Sequence, residues 1–236
     1  RRGQDYYDEG ALFWLEADCI IREESNGAYS LDDFCRKFFV ADGNHPLVKP
    51  YDLDEVIADL EALVDHDWRG LIRRRVYQAS DELQLNALWR AGYEFTHLDK
   101  RPKIVELREA DRETITAAHS LGVTLSDDAE VLRVTPGSLA DDAGLATNME
   151  VVGVNGRKFS TSRFRKAIAR SKNSGKVDLL VLEGDVFRSI SIPYDGGERY
   201  PAIERLPDRP DLLSAICTPQ AVQTATAAVD DNDAES

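Results

Sequence analysis

Four histidines, His45, His66, His97 and His119, are the first residues to weigh for chemistry. A hydrolytic zinc site needs two histidines one helical turn apart, a glutamate base between them and a further ligand downstream. None of the four has another histidine four residues away, so no metal site is assigned to this chain. His66 lies between Asp65 and Asp67, the company of an acid–base pair, but at a helix end it reads as a cap or surface residue. Cys19, Cys35 and Cys217 show no ligand-like spacing. The first two fall in apolar helical stretches and read as small buried hydrophobes, with a Cys19–Cys35 disulfide left open. Arg73-Arg74-Arg75 reads as a solvated or salt-bridged face rather than a binding patch. Tyr7, followed by Asp8-Glu9-Gly10, reads on its own as an amphipathic residue at a helix start.

The elements that must position these groups come from a chain of 236 residues, long enough for two domains. Its composition, 42% hydrophobic and 31% charged, is that of a globular protein with real cores. A formal net charge of −14 argues against nucleic acid and anionic lipid as partners, since both need a basic surface. No apolar run is long enough to span a membrane. The chain opens on Arg-Arg-Gly-Gln with no initiator Met and no signal-like segment, which reads as a piece of something longer.

The first hundred residues pattern as helices. Ala11 to Ile21 is apolar nearly all round, as in a deeply buried helix, with a stop at Asn26-Gly27. Ser30-Leu-Asp-Asp33 predicts a capping box opening a helix with Leu31, Phe34, Cys35, Phe38 and Phe39 inward. A loop through Gly43, Pro46 and Pro50 follows. Asp52 should cap a third helix with Val56, Ile57, Leu60, Leu63 and Val64 on its inner face. Trp68, Leu71, Ile72 and Val76 suggest a fourth, and Leu83 to Trp89 a short fifth. Gly92 to Leu98 reads as extended, and Pro102 to Arg112 as a charged connector that could be helical.

After Ser120 the period changes to that of strands: Gly122–Leu125, Val131–Val134, Met149–Val154, Val177–Leu182 and Val186–Ile192. Asn155-Gly156 marks a tight hairpin. Leu139–Ala143 makes one helical turn, and Arg163–Ser171 a helix with Phe164, Ala167 and Ile168 inward. Beyond Pro219 the composition predicts disorder.

Three blocks in order, Ser120-Leu-Gly-Val123, Thr135-Pro-Gly-Ser-Leu-Ala-Asp-Asp-Ala-Gly-Leu145 and Val151-Val-Gly-Val-Asn-Gly156, resemble a PDZ domain of the bacterial protease-associated kind. The usual Gly-Asp before the third block is Asn148-Met149 here. The resemblance implies an amide loop, Leu121, Gly122 and Val123, aimed at a peptide carboxylate, with the peptide adding as a strand. Leu125 would continue the strand side, and Thr161, Arg165 and Ile168 the helix side. Arg165 departs from the apolar residue common there. It would favour an acidic ligand side chain, or the groove would be closed by another part of the same protein.

Asp5-Tyr-Tyr-Asp-Glu-Gly-Ala-Leu-Phe-Trp-Leu15, Ser30-Leu-Asp-Asp-Phe34, Asp67-Trp68 and, near the end, Arg199-Tyr-Pro201, Glu204-Arg205 and Asp211-Leu-Leu213 resemble the C-terminal part of the glycyl aminopeptidase family of zinc metallopeptidases. The fold implied is an all-α helical domain over 1–100, a connector over 101–118, an α+β PDZ-like barrel or sandwich over 119–194, an extension over 195–219 and a disordered acidic tail over 220–236. Zinc would lie in an upstream domain, with no cofactor in this chain. Tyr7, or its neighbour Tyr6, would hydrogen-bond the oxyanion that develops during attack on the peptide bond. The resemblance also implies small N-terminal residues such as Gly or Ala in the substrate, and leans towards the bacterial periplasm or cell envelope. The groove's partner would be a peptide or protein C-terminus, or the upstream catalytic domain. A non-catalytic peptide-binding adaptor and a purely structural brace are the other two readings. This chain alone should be inactive.

Overall fold

The computed structural model describes residues 5–39, 50–78 and 84–219, together folded into two units. The first takes Arg1–Phe95 and Glu204–Ser236; the second takes Thr96–Ile203. The expected loop at Gly43 and Pro46, the start of the fifth helix at Leu83 and the tail beyond Pro219 lie outside the described residues, as does the side chain of Tyr6.

The first unit is helical. Helix α1, Asp5–Glu24, runs through the buried positions Phe13, Ala17, Ile20 and Ile21 and ends where Asn26 and Gly27 turn left-handed at φ 52° and 80°. Helix α2, Leu31–Phe39, is tied to it by Asp18, whose Oδ1 accepts from the Leu31 amide at 2.7 Å and from Arg22 Nε at 3.0 Å. The Asp33 carboxylate accepts from the Ser30 amide at 2.9 Å, the reciprocal half of the expected cap. Helix α3, Leu53–Glu61, opens on a full capping box between Asp52 and Glu55. Helix α4, Trp68–Ile72, is capped by Asp67 rather than by His66. Trp68 is fully buried among Phe13, Ile21, Leu60 and Leu71, a burial worth about 1.5–3 kcal/mol for each such side chain.

One inward assignment fails, and the pattern of the fourth helix breaks before its last apolar residue. Phe39 is 71% exposed, because α2 ends on it and only the Phe34–Phe38 side of the helix meets the core. Val76 is 62% exposed, because Arg73–Tyr77 is a π-helical turn. That turn adds a residue and rotates everything after Ile72 off the α-helical period. The same rotation carries Arg75 inward: its side chain is 4% exposed beside Glu16 at 5%, so it is no solvated face. Helix α5, Asn86–Arg90, follows. The cysteines are free: Cys19 is buried, Cys35 half-buried and Cys217 exposed. Burial, then the Asp18 charge, pushes the Cys19 thiol up to about 12, so it behaves as an inert hydrophobe.

The chain enters the second unit within strand β1, Tyr93–Leu98, and leaves it within β9, Tyr200–Arg205, and these two strands pair. Between them, helix α6, Lys103–Arg112, forms from the charged connector and ends on Glu113 at φ 51°. Strands β2 (Thr114–Ala117), β3 (Val123–Ser126) and β4 (Val131–Val134) form an antiparallel sheet in the order β2-β3-β4. After the helical turn α7, Leu139–Asp142, come β5 (Glu150–Val154), β6 (Arg157–Lys158), helix α8 (Thr161–Ser174), β7 (Lys176–Glu183) and β8 (Val186–Pro193). The second sheet has the order β6-β5-β7-β8. Asn155 and Gly156 make the tight β5–β6 hairpin at φ 47° and 73°. Neither sheet closes, so the unit is an open mixed α+β fold and not a barrel. Its core joins Leu121, Val123 and Leu125 to Phe164, Ile168, Val177 and Val181. In the first unit, α9, Leu212–Cys217, completes the described chain.

Candidate functional site

The loop before β3 points its amides at an oxygen, and that oxygen belongs to the chain. The Ala117 carbonyl accepts from the amides of Ser120, Leu121 and Gly122 at 3.1, 2.9 and 3.1 Å. Gly122 sits at φ +87°, and a Cβ there would fall 2.1 Å from Ser138 Cβ. This close approach locks the loop onto the Thr-Pro-Gly-Ser turn. Ser138 in turn caps α7. Beyond the loop, β3 is paired on both edges. One edge carries β4; the other carries β2 in register from Thr114↔Ser126 to Ala117↔Val123. Leu121, Val123, Leu125 and Ile168 bury their side chains in the unit's core, while Thr161 is exposed at the start of α8.

Arg165 is the charged residue of that helix face, and it is engaged within the chain. Its Nη2 donates to Glu109 Oε1 at 2.6 Å and its Nη1 to Tyr200 Oη at 2.8 Å. Glu109, buried on α6, uses the same Oε1 to accept from the Thr116 amide of β2 at 2.8 Å, and Oε2 to accept from Arg101 at 2.8 Å. The Tyr200 hydroxyl donates to Glu198 at 2.9 Å. Burial, only partly offset by Arg165, pushes that phenol up to about 12, so it remains a neutral donor. Burial opposes the Arg165 charge, but the bond to Glu109 and the charges around it raise its pKa overall. One carboxylate thus joins α6, β2 and α8, and no sequence spacing announced that Glu109, an ordinary member of a charged stretch, would hold it.

A second cluster in this unit pairs two histidines. Arg199 Nη2 donates to His97 Nδ1 at 3.1 Å, and His97 Nε2 lies 3.3 Å from His119 Nδ1. Arg can only donate, so His97 carries its proton on Nε2 and passes it towards His119. Burial, then the Arg199 charge, lowers both imidazole pKa values. Among the described residues no three His, Cys, Asp or Glu side chains come together as metal ligands. Among the described residues no helix is long and apolar enough to cross a membrane.

In the first unit, Tyr7 stands in the first turns of α1 and is 66% exposed. His66 Nδ1 bonds Glu24 at 2.7 Å, and its ring meets Trp68 edge-on with centroids 5.0 Å apart. The structure therefore brings Arg165 to the β2–β3 side of the second unit, and places Tyr7 separately in the first. Sequence reasoning missed the Glu16–Arg75 pair. The available signal was Glu16 itself, a charge set between Leu15 and Ala17 on a helix apolar nearly all round.

No protein-family model and no curated protein matches the chain. Among solved structures, a PDZ domain of HtrA3 bound to a phage-derived ligand aligns over 48% of this chain and 92% of its own, at 17% identity and a TM-score of 0.24, too low to speak for the fold. An aminopeptidase N family protein from Idiomarina loihiensis aligns over 91% of this chain at 16% identity with a TM-score of 0.57. The chain spans 36% of that protein's length, and what the two share is the fold.

Proposed function

We propose that this chain is the C-terminal region of a zinc-dependent aminopeptidase acting on small N-terminal residues such as Gly or Ala. What supports the reading is a likeness of fold that covers 91% of the chain to an aminopeptidase N family protein. The described residues offer no ligand set for zinc, so no step is assigned to a metal within this chain. The metal, held upstream, would supply the activated water. The part left to this chain is Tyr7. Its phenol, exposed on the first turns of a helix with a buried inner face, would donate a hydrogen bond to the carbonyl oxygen as it gains charge. In the full-length protein, Tyr7→Phe is expected to lower kcat by roughly 100-fold with little change in KM for a glycyl or alanyl substrate. An unchanged kcat removes Tyr7 from the mechanism.

For the second unit, a PDZ-type module, a bracing role has specific support over that of a free adaptor. The amides of Leu121 and Gly122 are committed to Ala117, β2 holds the open edge of β3, and Arg165 is held by Glu109. A peptide would add to β3 only after β2 leaves. Titrating the chain with C-terminal peptides, free and amidated, tests this. Tight binding that depends on the free carboxylate and displaces β2 amides in NMR spectra would restore the adaptor reading.

A further inference from the structure

Beside the π-helical turn, the first unit encloses a cavity of about 660 Å³ that the proposed catalysis does not use. Its size is that of a small-molecule site, roughly 300–1,000 Å³. Glu16, Arg74, Arg75, Gln84, Trp89 and Arg90 are among its walls, so cationic and amide groups dominate the polar lining. Arg74 is exposed, with Asp67 at 3.9 Å. Arg75 is the buried one. Its Nη1 donates to the Gln84 backbone oxygen at 2.8 Å and side-chain oxygen at 3.2 Å. Its Nε and Nη2 have no hydrogen-bond partner among the described residues. That pair of nitrogens is the edge by which a guanidinium takes a carboxylate through two parallel bonds. Glu16 Oε2 lies 3.4 Å from Nε without making a hydrogen bond, and is itself unpartnered. Leaving a buried donor empty costs about 1–3 kcal/mol, and here two are left on one charged group.

We infer that this cavity binds a small carboxylate, whose two oxygens take the Nε–Nη2 edge of Arg75. Glu16 covers that edge from solvent. Its Oε2 is held by no hydrogen bond, so the side chain can turn aside and yield the edge to a ligand that bonds both nitrogens. Arg74 and Arg90 add positive charge at the wall, and the Gln84 and Asn86 amides suit a polar remainder. A planar two-oxygen anion matches the in-plane Nε–Nη2 edge of one guanidinium through two parallel bonds.

The test is a titration of the 236-residue chain, followed through the Arg75 Nε–H resonance and by calorimetry, with acetate, triglycine and triglycine amide. Saturable shifts of Arg75 are expected with the free carboxylates, and binding of the amide about tenfold weaker or worse. Acetate binding as well as triglycine assigns a free small acid; tighter triglycine binding assigns a peptide C-terminus. Arg75→Lys, which keeps the charge and loses the fork, should weaken binding about tenfold. Arg74→Gln, at an exposed position, should weaken it about two- to threefold. Glu16→Gln should tighten it several-fold, because a competing carboxylate is neutralised with its shape kept. The last two variants decide the matter if Arg75→Lys fails to fold. No saturable shift at millimolar carboxylate, equal binding of the amide, or affinities unmoved by these substitutions would each overturn the site. Nothing here depends on hydrolysis, so failure of this site and failure of the Tyr7 mechanism are separate results.

Discussion

Each unit buries one arginine against one glutamate, and the two pairs are built differently. In the second unit Arg165 and Glu109 meet at 2.6 Å with side chains 14% and 7% exposed, and bonds with Tyr200, Thr116 and Arg101 engage both Nη nitrogens and both carboxylate oxygens, leaving Arg165 Nε unpartnered among the described residues. In the first unit Arg75 and Glu16 are buried more deeply, at 4% and 5%, yet stand 3.4 Å apart with donors and acceptor unfilled. Burial alone does not make an ion pair structural. A pair whose Nη nitrogens and carboxylate oxygens are engaged joins elements; a pair that leaves a whole guanidinium edge unfilled is open to a third group.

The contrast can be broken by substitution. Glu109→Ala strands Arg165 and the Thr116 amide, and should cost about 3–5 kcal/mol in urea unfolding of the second unit. A loss under 1 kcal/mol would mean the cluster joins nothing. Gly122→Ala should cost about 2–4 kcal/mol in the same transition, combining the φ of +87° with the clash on Ser138. In the first unit, replacing the loose pair by Glu16→Leu with Arg75→Met should change stability by no more than about 1 kcal/mol. The matching double replacement of Glu109 and Arg165 should be clearly destabilising, since it also orphans Thr116. Equal effects of the two double replacements would erase the distinction.

The smallest expected effect is one of pH. His97 and His119 titrate lower in the fold than in the unfolded chain. As pH falls through the ordinary histidine value, about 6.5, the unfolded chain takes protons first and stability declines. The decline levels off once the folded imidazoles also protonate. His119→Gln should flatten that part of the stability–pH curve, and an unchanged slope would show that the pair does not sense protons.

How legible all this was in the sequence depended on the range of the interactions involved. The Asp52–Glu55 capping box, the Asn155-Gly156 hairpin and the inner face of α8 rest on neighbours within a few residues, and all were readable. β2 was not: Thr-Ile-Thr-Ala is too short to announce itself, and it follows a left-handed Glu113 where a glycine would have signalled the turn. Phe39 was misplaced by extending an α-helical period to a helix end, and Val76 was counted into a helix whose period a π turn interrupts. A barrel was one of the two forms expected of the second unit, but the number of strands does not decide whether edge strands meet. The departure at Arg165 was visible at once. Its partner Glu109 lies 56 residues earlier, and only the fold supplies it.

The paired strands β1 and β9 also bear on how the molecule comes to be folded. The first unit is interrupted at Phe95 and resumes at Glu204, so its two pieces are separated by about a hundred residues. Bringing the ends of a flexible loop of that length together costs about 4 kcal/mol, a term that grows only with the logarithm of its length. A second unit already collapsed, with its own first and last strands paired, shortens the effective loop to a few residues and removes most of that cost. Assembly should therefore run from the inside outwards, with the interrupting piece ordered, β1 and β9 paired, before α9 rejoins the helical unit.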